Sequence, residues 1–208
     1  MRANILLFVA LLTSAGFGAG IVIGGHLASP RSAAVRSSST SAGTNTQSGP
    51  LPAIKRRPKT GASGTTASHV SDIVGEKGHV YCVEFASRSI RDLVDHVCPH
   101  RPNMSPILED ARFPEKYAMF VRGRVDDIYC DIAQPEQAKV LADNAKHFLK
   151  ESGWIMLAVK AQSIDVTKEP TEVYEQELRV LERRGFIVEQ VVRLEPYDKA
   201  HAMIVAHL

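Results

Sequence analysis

From Gly61 onward the sequence alternates short apolar runs with amphipathic stretches, then ends on two apolar runs with nothing helical between them. That ordering restricts the fold more than any other feature of the chain. Residues 80–85 are mostly apolar, rich in β-formers and preceded by Gly78, which predicts a strand. Ile90, Leu93, Val94 and Val97 then fall at i, i+3, i+4 and i+7, the buried stripe of a helix. Strands are expected at 103–110, around Ile107-Leu108, and at 125–133, around Ile128-Tyr129-Cys130. Residues 135–152 predict a helix burying Val140, Leu141, Ala145, Phe148 and Leu149, with Gly153 as its stop. Residues 154–161 are almost wholly apolar, as in a strand covered on both faces. A helix at 170–184 packs Tyr174, Leu178 and Leu181 and stops at Gly185, and strands at 186–194 and 202–208 follow. Strand–helix alternation specifies an α/β fold with a parallel sheet under helices. The final pair of strands closes it with an antiparallel hairpin.

The first sixty residues are different in kind. Arg2 precedes an apolar run from Ile5 to Leu12, and no Asp, Glu, Lys or Arg interrupts between Ala3 and Pro30. A basic residue ahead of such a run is the layout of a cleavable signal or of a single membrane anchor, so residues 1–28 are read as one of the two. Residues 29–60 continue with Ser, Thr, Gly and Ala and few large apolar groups, too little to offset ordering entropy, and are read as a disordered linker. The cluster Lys55-Arg56-Arg57-Pro58-Lys59 suits a solvated linker, a nuclear address or a phosphate contact.

With 44% apolar and 23% charged residues, the bulk of the chain is expected to fold as a globular body. A formal net charge of +2 does not by itself call for a nucleic-acid partner. Cys82, Cys98 and Cys130 are odd in number and lack CxxC spacing, which argues against a disulfide framework and a structural zinc site. Cys82 and Cys130 are expected to act as small hydrophobes.

Chemistry-bearing residues collect at predicted strand ends. Gly61-Ala62-Ser63-Gly64-Thr65-Thr66 opens into a helix, and such a turn lets backbone N–H groups approach the carboxylate of an amino-acid cofactor. Alone the motif is weak. Glu84 ends the next strand about twenty residues on, where an acid can take the two hydroxyls of a ribose. Asp110 and Asp131 end the following two strands, and a carboxylate in the first position can accept from an adenine amino group. Each alone is equally a surface acid; together they mark the rim where open α/β sheets bind ligands.

On these residues the chain resembles the fibrillarin family. The matching segments are His69-Val70-Ser71-Asp72-Ile73-Val74-Gly75, Val83-Glu84-Phe85, Glu109-Asp110-Ala111-Arg112, Asp131-Ile132-Ala133-Gln134-Pro135 and Leu194-Glu195-Pro196-Tyr197. The resemblance covers residues 61–208. It implies a Rossmann-like S-adenosylmethionine (SAM) methyltransferase fold, and methylation of the ribose 2′-hydroxyl in ribosomal RNA inside a box C/D guide-RNA particle with its scaffold proteins. By that resemblance Ala62, Thr65, Thr66, Glu84, Phe85, Asp110, Ala111, Asp131 and Gln134 contact SAM, and no metal takes part. Of the family's Lys–Asp–Lys–His catalytic set, Asp131, Lys160 and His201 match three members. A ribose hydroxyl must be oriented and relieved of its proton as it attacks, and Lys160, closing so apolar a strand, is a candidate acceptor through desolvation. Location in the nucleus, at the nucleolus, follows from the same likeness; the hydrophobic start points instead to the secretory pathway or a membrane.

Two departures set the alternatives. The family has an apolar central strand immediately before the glycine turn, whereas residues 51–60 hold two prolines and four cations, unfit for a strand buried on both faces. The central first strand is therefore expected to be missing, and the family's first catalytic lysine has no match. A chain whose amino-terminal part was replaced through splicing or faulty gene prediction is one expectation from this. A catalytically inactive interaction module is a second function, and a secreted or membrane-anchored protein a third. A nicotinamide dehydrogenase is more distant, because residues 61–66 lack the full GxGxxG turn.

Overall fold

The computed structural model of the chain describes residues 64–208 and the backbone of Ile5–Ala10. The linker reading of 29–60, the basic cluster and Ala62 fall outside the described residues. The strands are β1 (Ile5–Ala10), β2 (His79–Glu84), β3 (Met104–Leu108), β4 (Val125–Cys130), β5 (Leu149–Lys160), β6 (Ile187–Arg193) and β7 (His201–His207). The helices are α1 (Thr65–Val74), α2 (Ser87–Asp92), α3 (Gln137–Phe148), α4 (Ala161–Ile164) and α5 (Pro170–Arg183).

One seven-stranded sheet runs in the order β3-β2-β1-β4-β5-β7-β6. From β3 to β5 all neighbours are parallel, while β7 pairs antiparallel with both β5 and β6. The final hairpin expected from the sequence is present, with β7 slotted between β5 and β6. Pro106 lies within β3, where the open side of an edge strand tolerates a missing donor.

The expectation of a missing central strand is corrected here. Ile5–Ala10 pairs with β2 from Ile5↔His79 to Ala10↔Glu84, and with β4 from Leu6↔Asp127 to Val9↔Cys130. The same unbroken apolar run that reads as a signal or anchor is what a central parallel strand requires. Residues 51–60 remain unfit for the sheet, but a strand need not adjoin the glycine turn. Closing a connection of about fifty residues instead of six costs only about 2 kcal/mol more, since each doubling adds about 0.6 kcal/mol.

Helices follow the sequence pattern with two instructive shifts. Ile90, Leu93 and Val97 are buried, but Val94 is 43% exposed. The helix widens to i→i+5 bonding over Leu93–Val97, which turns Val94 off the stripe that regular helical spacing predicts. Gly153 does not stop α3, which ends at Phe148; it lies inside β5. A Cβ at Gly153 would meet Leu149 Cδ1 at 2.5 Å and the Asp126 carbonyl at 2.7 Å, so the glycine permits close approach where the β4–β5 register shifts. The core holds one polar knot: Tyr117 stacks on Phe148 with centroids 5.4 Å apart, and its hydroxyl donates to Asn144 Oδ1. The Asn144 amide in turn donates to the Ala111 carbonyl at 2.7 Å, tying the segment after β3 to α3.

Candidate active site

The chain builds β1, β2 and β3 outward in one direction and then returns to place β4 on the other side of β1. Strand order reverses there, and crevices at such a point open at the carboxyl ends of the strands. The predicted carboxylates stand along this rim. Glu84, the last residue of β2, is only 4% exposed, and its Oε1 accepts the Ala86 N–H at 2.7 Å. Phe85, the next residue, is exposed.

Asp110 follows the end of β3 and accepts from the Arg112 N–H at 2.9 Å and from the Arg112 guanidinium at 2.6 Å. Partial burial alone would raise its pKa, but hydrogen bonds from Arg112 and the charges of Arg112 and Lys116 outweigh that and hold it below the ordinary value. It is thus an ionised acceptor, already shared with Arg112. Ala111 is fully buried with its carbonyl engaged by Asn144, so it stands behind the rim and not on it.

Thr65 and Thr66 form the first turn of α1. Gly64 precedes them at φ +98°, and a Cβ there would lie 2.9 Å from Leu93 Cδ1, so only glycine fits both the backbone and the space. No side chain caps this turn among the described residues, which leaves its N–H groups for a ligand or water. Gln134 sits half-buried in the β4–α3 connection, with no side-chain partner among the described residues.

The other half of the rim brings Asp131, Lys160 and His201 together. Asp131 follows β4, Lys160 ends β5 and His201 opens β7 directly opposite Lys160. Lys160 Nζ lies 2.9 Å from Asp131 Oδ1, with side chains 12% and 13% exposed. The apolar surroundings expected for Lys160 are therefore relieved by an ionic partner. Burial raises the Asp131 pKa; Lys160 and His201 pull it back, Asp198 pushes it up, and it stays above the ordinary value. His201 Nδ1 lies 2.7 Å from the Lys199 carbonyl and 3.2 Å from Asp198 Oδ1. A carbonyl only accepts, so Nδ1 carries a proton, and in the neutral form of the ring Nε2 is the acceptor.

Two supports, Gln137 and Glu177, carry no mark in the sequence, and a third, Glu195, lies in the matching segment Leu194–Tyr197. Gln137, fully buried at the start of α3, accepts the Lys160 N–H at 3.0 Å. Glu177 reaches from α5 to accept the Ala138 N–H at 2.6 Å. Glu195 accepts the Ala200 N–H at 3.1 Å, and the Ala200 carbonyl accepts from Ala161 N–H at 3.1 Å, which joins the His201 turn to the end of β5. A concavity of about 960 Å³ opens at the opposite end of β5 beside Arg124, Lys146, Lys150 and Arg184. Its cations are largely committed, Arg124 to the Leu149 carbonyl, Lys150 to Asp126 and Arg184 to Asp143. It is far from the rim, and the convergent acid, amine and imidazole make the rim the candidate chemical site.

The family model of fibrillarin matches residues 60–208. A fibrillarin-like rRNA/tRNA 2′-O-methyltransferase of Pyrobaculum islandicum is 56% identical over 146 residues, which are 70% of this chain and 62% of that protein. The fibrillarin of Aeropyrum pernix, solved with natively bound S-adenosyl-L-methionine, is 54% identical with a TM-score of 0.62, over 69% of this chain and 62% of its own. A chain of a fibrillarin/Nop5p complex is 40% identical with a TM-score of 0.63, over 70% and 68%. The present chain thus spans 62% of the length of the Pyrobaculum relative. The Rossmann-like SAM-dependent methyltransferase fold accounts for the reversal of strand order at β1 and for the closing hairpin, and the chain belongs to the fibrillarin family.

Proposed function

We propose that this chain is a SAM-dependent 2′-O-ribose methyltransferase acting on ribosomal RNA within a box C/D guide-RNA particle. The observation that carries it is the meeting of Asp131, Lys160 and His201 on the same rim as Glu84 and Asp110. The residues fit the cofactor. The uncapped first turn at Thr65-Thr66 suits its amino-acid carboxylate, Glu84 its ribose hydroxyls, and ionised Asp110 its adenine amino group, beside Phe85, Ala111 and Gln134. Ala62 belongs to the same turn by sequence. Bound there, SAM supplies an electrophilic methyl group on a sulfonium. Asp131 and Lys160 hold the ribose hydroxyl for attack, and the Nε2 lone pair of His201 takes part in carrying its proton away.

The catalytic domain so read comprises residues 61–208, completed by Ile5–Ala10 in the sheet. Its partners are the substrate rRNA, the guide RNA and a scaffold protein of the kind present in the fibrillarin/Nop5p complex. In a nucleated cell a carboxyl-terminal tag would gather in the nucleolus. A bilayer-embedded reading competes for residues already paired in β1, and no helix among the described residues is long and apolar enough to cross a membrane. A second reading, a docking module without activity, draws on the family's first catalytic lysine, which has no counterpart among the described residues. The test is incubation of the full chain with labelled SAM, rRNA and an assembled guide particle. Label at the single ribose opposite the guide supports methyl transfer. Binding to the particle without label sinks it in favour of the docking module.

A further inference from the structure

We infer that Gln137 is a positioning residue for methyl transfer, holding the main chain of Lys160 so that its amine stays against Asp131. The inference rests on the reading of the rim given under Proposed function. β5 runs three residues past its last pairing with β4, at Cys130↔Leu157, while β7 continues to pair on its other side as far as Lys160↔His201. The main chain of Lys160 therefore lacks a strand on one flank. Gln137 fills that place as a peptide unit would: its Oε1 accepts the Lys160 N–H at 3.0 Å, and its Nε2 reaches the Lys160 carbonyl at 3.4 Å.

The holder is itself held. Gln137 has no exposed surface, and the next residue, Ala138, donates its N–H to Glu177 of α5 at 2.6 Å. The connection from β4 to α3 begins at Asp131 and ends on Gln137, the first residue of α3. That connection thus supplies the carboxylate that meets the Lys160 amine and the amide that fixes the Lys160 backbone. A lysine stem is flexible, so anchoring its root narrows where the amine can go. Misplacement of a reacting group by about 1 Å can cost on the order of a hundredfold in rate.

The test is Gln137→Met, which keeps chain length and volume but removes both contacts. Three charged groups act on the Asp131 carboxyl: Lys160, His201 and Asp198. A loosened Lys160 lets the Asp131 carboxyl titrate at higher pH, followed by carboxyl NMR on the full chain. The expected result is that upward movement, a kcat at least about tenfold lower, and an unchanged KM for SAM. Unchanged titration overturns the proposal, and so does a moved titration with kcat intact. If the wild-type chain transfers no methyl group while the titration still moves, the functional reading fails and the fixing of Lys160 stands. Exchange of the Lys160 amide in the wild type needs no variant. Protection like that of mid-strand amides is expected, and exchange as fast as a loop amide contradicts the contact.

Discussion

Asp131 and Lys160 form an ion pair in which neither side chain is more than 13% exposed, so each depends on the other. Lys160→Met removes the amine and strands a buried carboxylate. Methyl transfer is expected to fall by about 10²–10⁴-fold and the urea midpoint to drop by the equivalent of about 3 kcal/mol, both read on the purified variant. The raised Asp131 pKa fixes the sign of the pH dependence. A reaction that needs the carboxylate gains rate as pH rises through the folded value, so the acid limb of kcat lies above the ordinary aspartate range near 3.8. A pH–rate profile checks this. Asp127 makes a separate prediction at the opposite end of β4. Burial, then the charge of Asp126, pushes its pKa to about 7, and its Oδ2 has no hydrogen-bond partner. Here the folded state holds a proton that the unfolded state releases near 3.8. Stability is therefore fully present below about pH 4 and is lost as pH rises towards about 7. Asp127→Asn is expected to stabilise the protein at pH 8 by roughly 2 kcal/mol and to flatten that loss, measured by urea unfolding at pH 5 and pH 8.

β1 is the element on which the sheet turns, because the reversal of strand order lies beside it. Leu7→Pro removes a ladder donor from a strand paired on both sides, at Leu7↔Tyr81 and Leu7↔Ile128. A loss of about 3 kcal/mol is expected, roughly 6–12 °C in Tm, whereas Ser38→Pro in the stretch read as linker leaves Tm in place. Equal melts for the two variants would remove Ile5–Ala10 from the sheet. Gly153→Ala is expected to cost about 1–3 kcal/mol, since its Cβ has neither Leu149 nor the Asp126 carbonyl to yield to it without a shift. These two elements also mark where the sequence is hard to read. Periodicity identifies α3, α5 and the strands from β2 to β7, because their apolar faces repeat at the period their geometry imposes. It does not tell a glycine that stops a helix from one that lets a strand bulge, and Gly153 was such a case. Nor does local pattern say that an apolar run about fifty residues before the linker's end pairs with β2 rather than with lipid. In the site, Glu84, Asp110 and Asp131 are legible because strand ends are, and the family match adds Lys160 and His201. Gln137 is not, because a polar residue opening a helix has the same appearance whether its amide faces water or a strand end.

Across the molecule, the rim divides into a half suited to hold SAM, at β2, β3 and α1, and a half suited to the chemistry, at β4, β5 and β7. β1 lies between the two, so the proposed cofactor half and the proposed chemical half are in register only if the sheet closes through Ile5–Ala10. The chain matches 62% of its Pyrobaculum relative; the rim residues lie within the family match at 60–208, and β1 lies outside it. Binding of SAM to this chain alone is thus the event on which the proposed methyl transfer depends. It is measured by thermal unfolding of the full chain with and without SAM. At about a hundred times its dissociation constant, a ligand that binds only the folded state stabilises by about 2.7 kcal/mol, and one cooperative transition is predicted to move up by several degrees. A cooperative transition that stays in place at saturating SAM would contradict the assignment of the rim as a cofactor site.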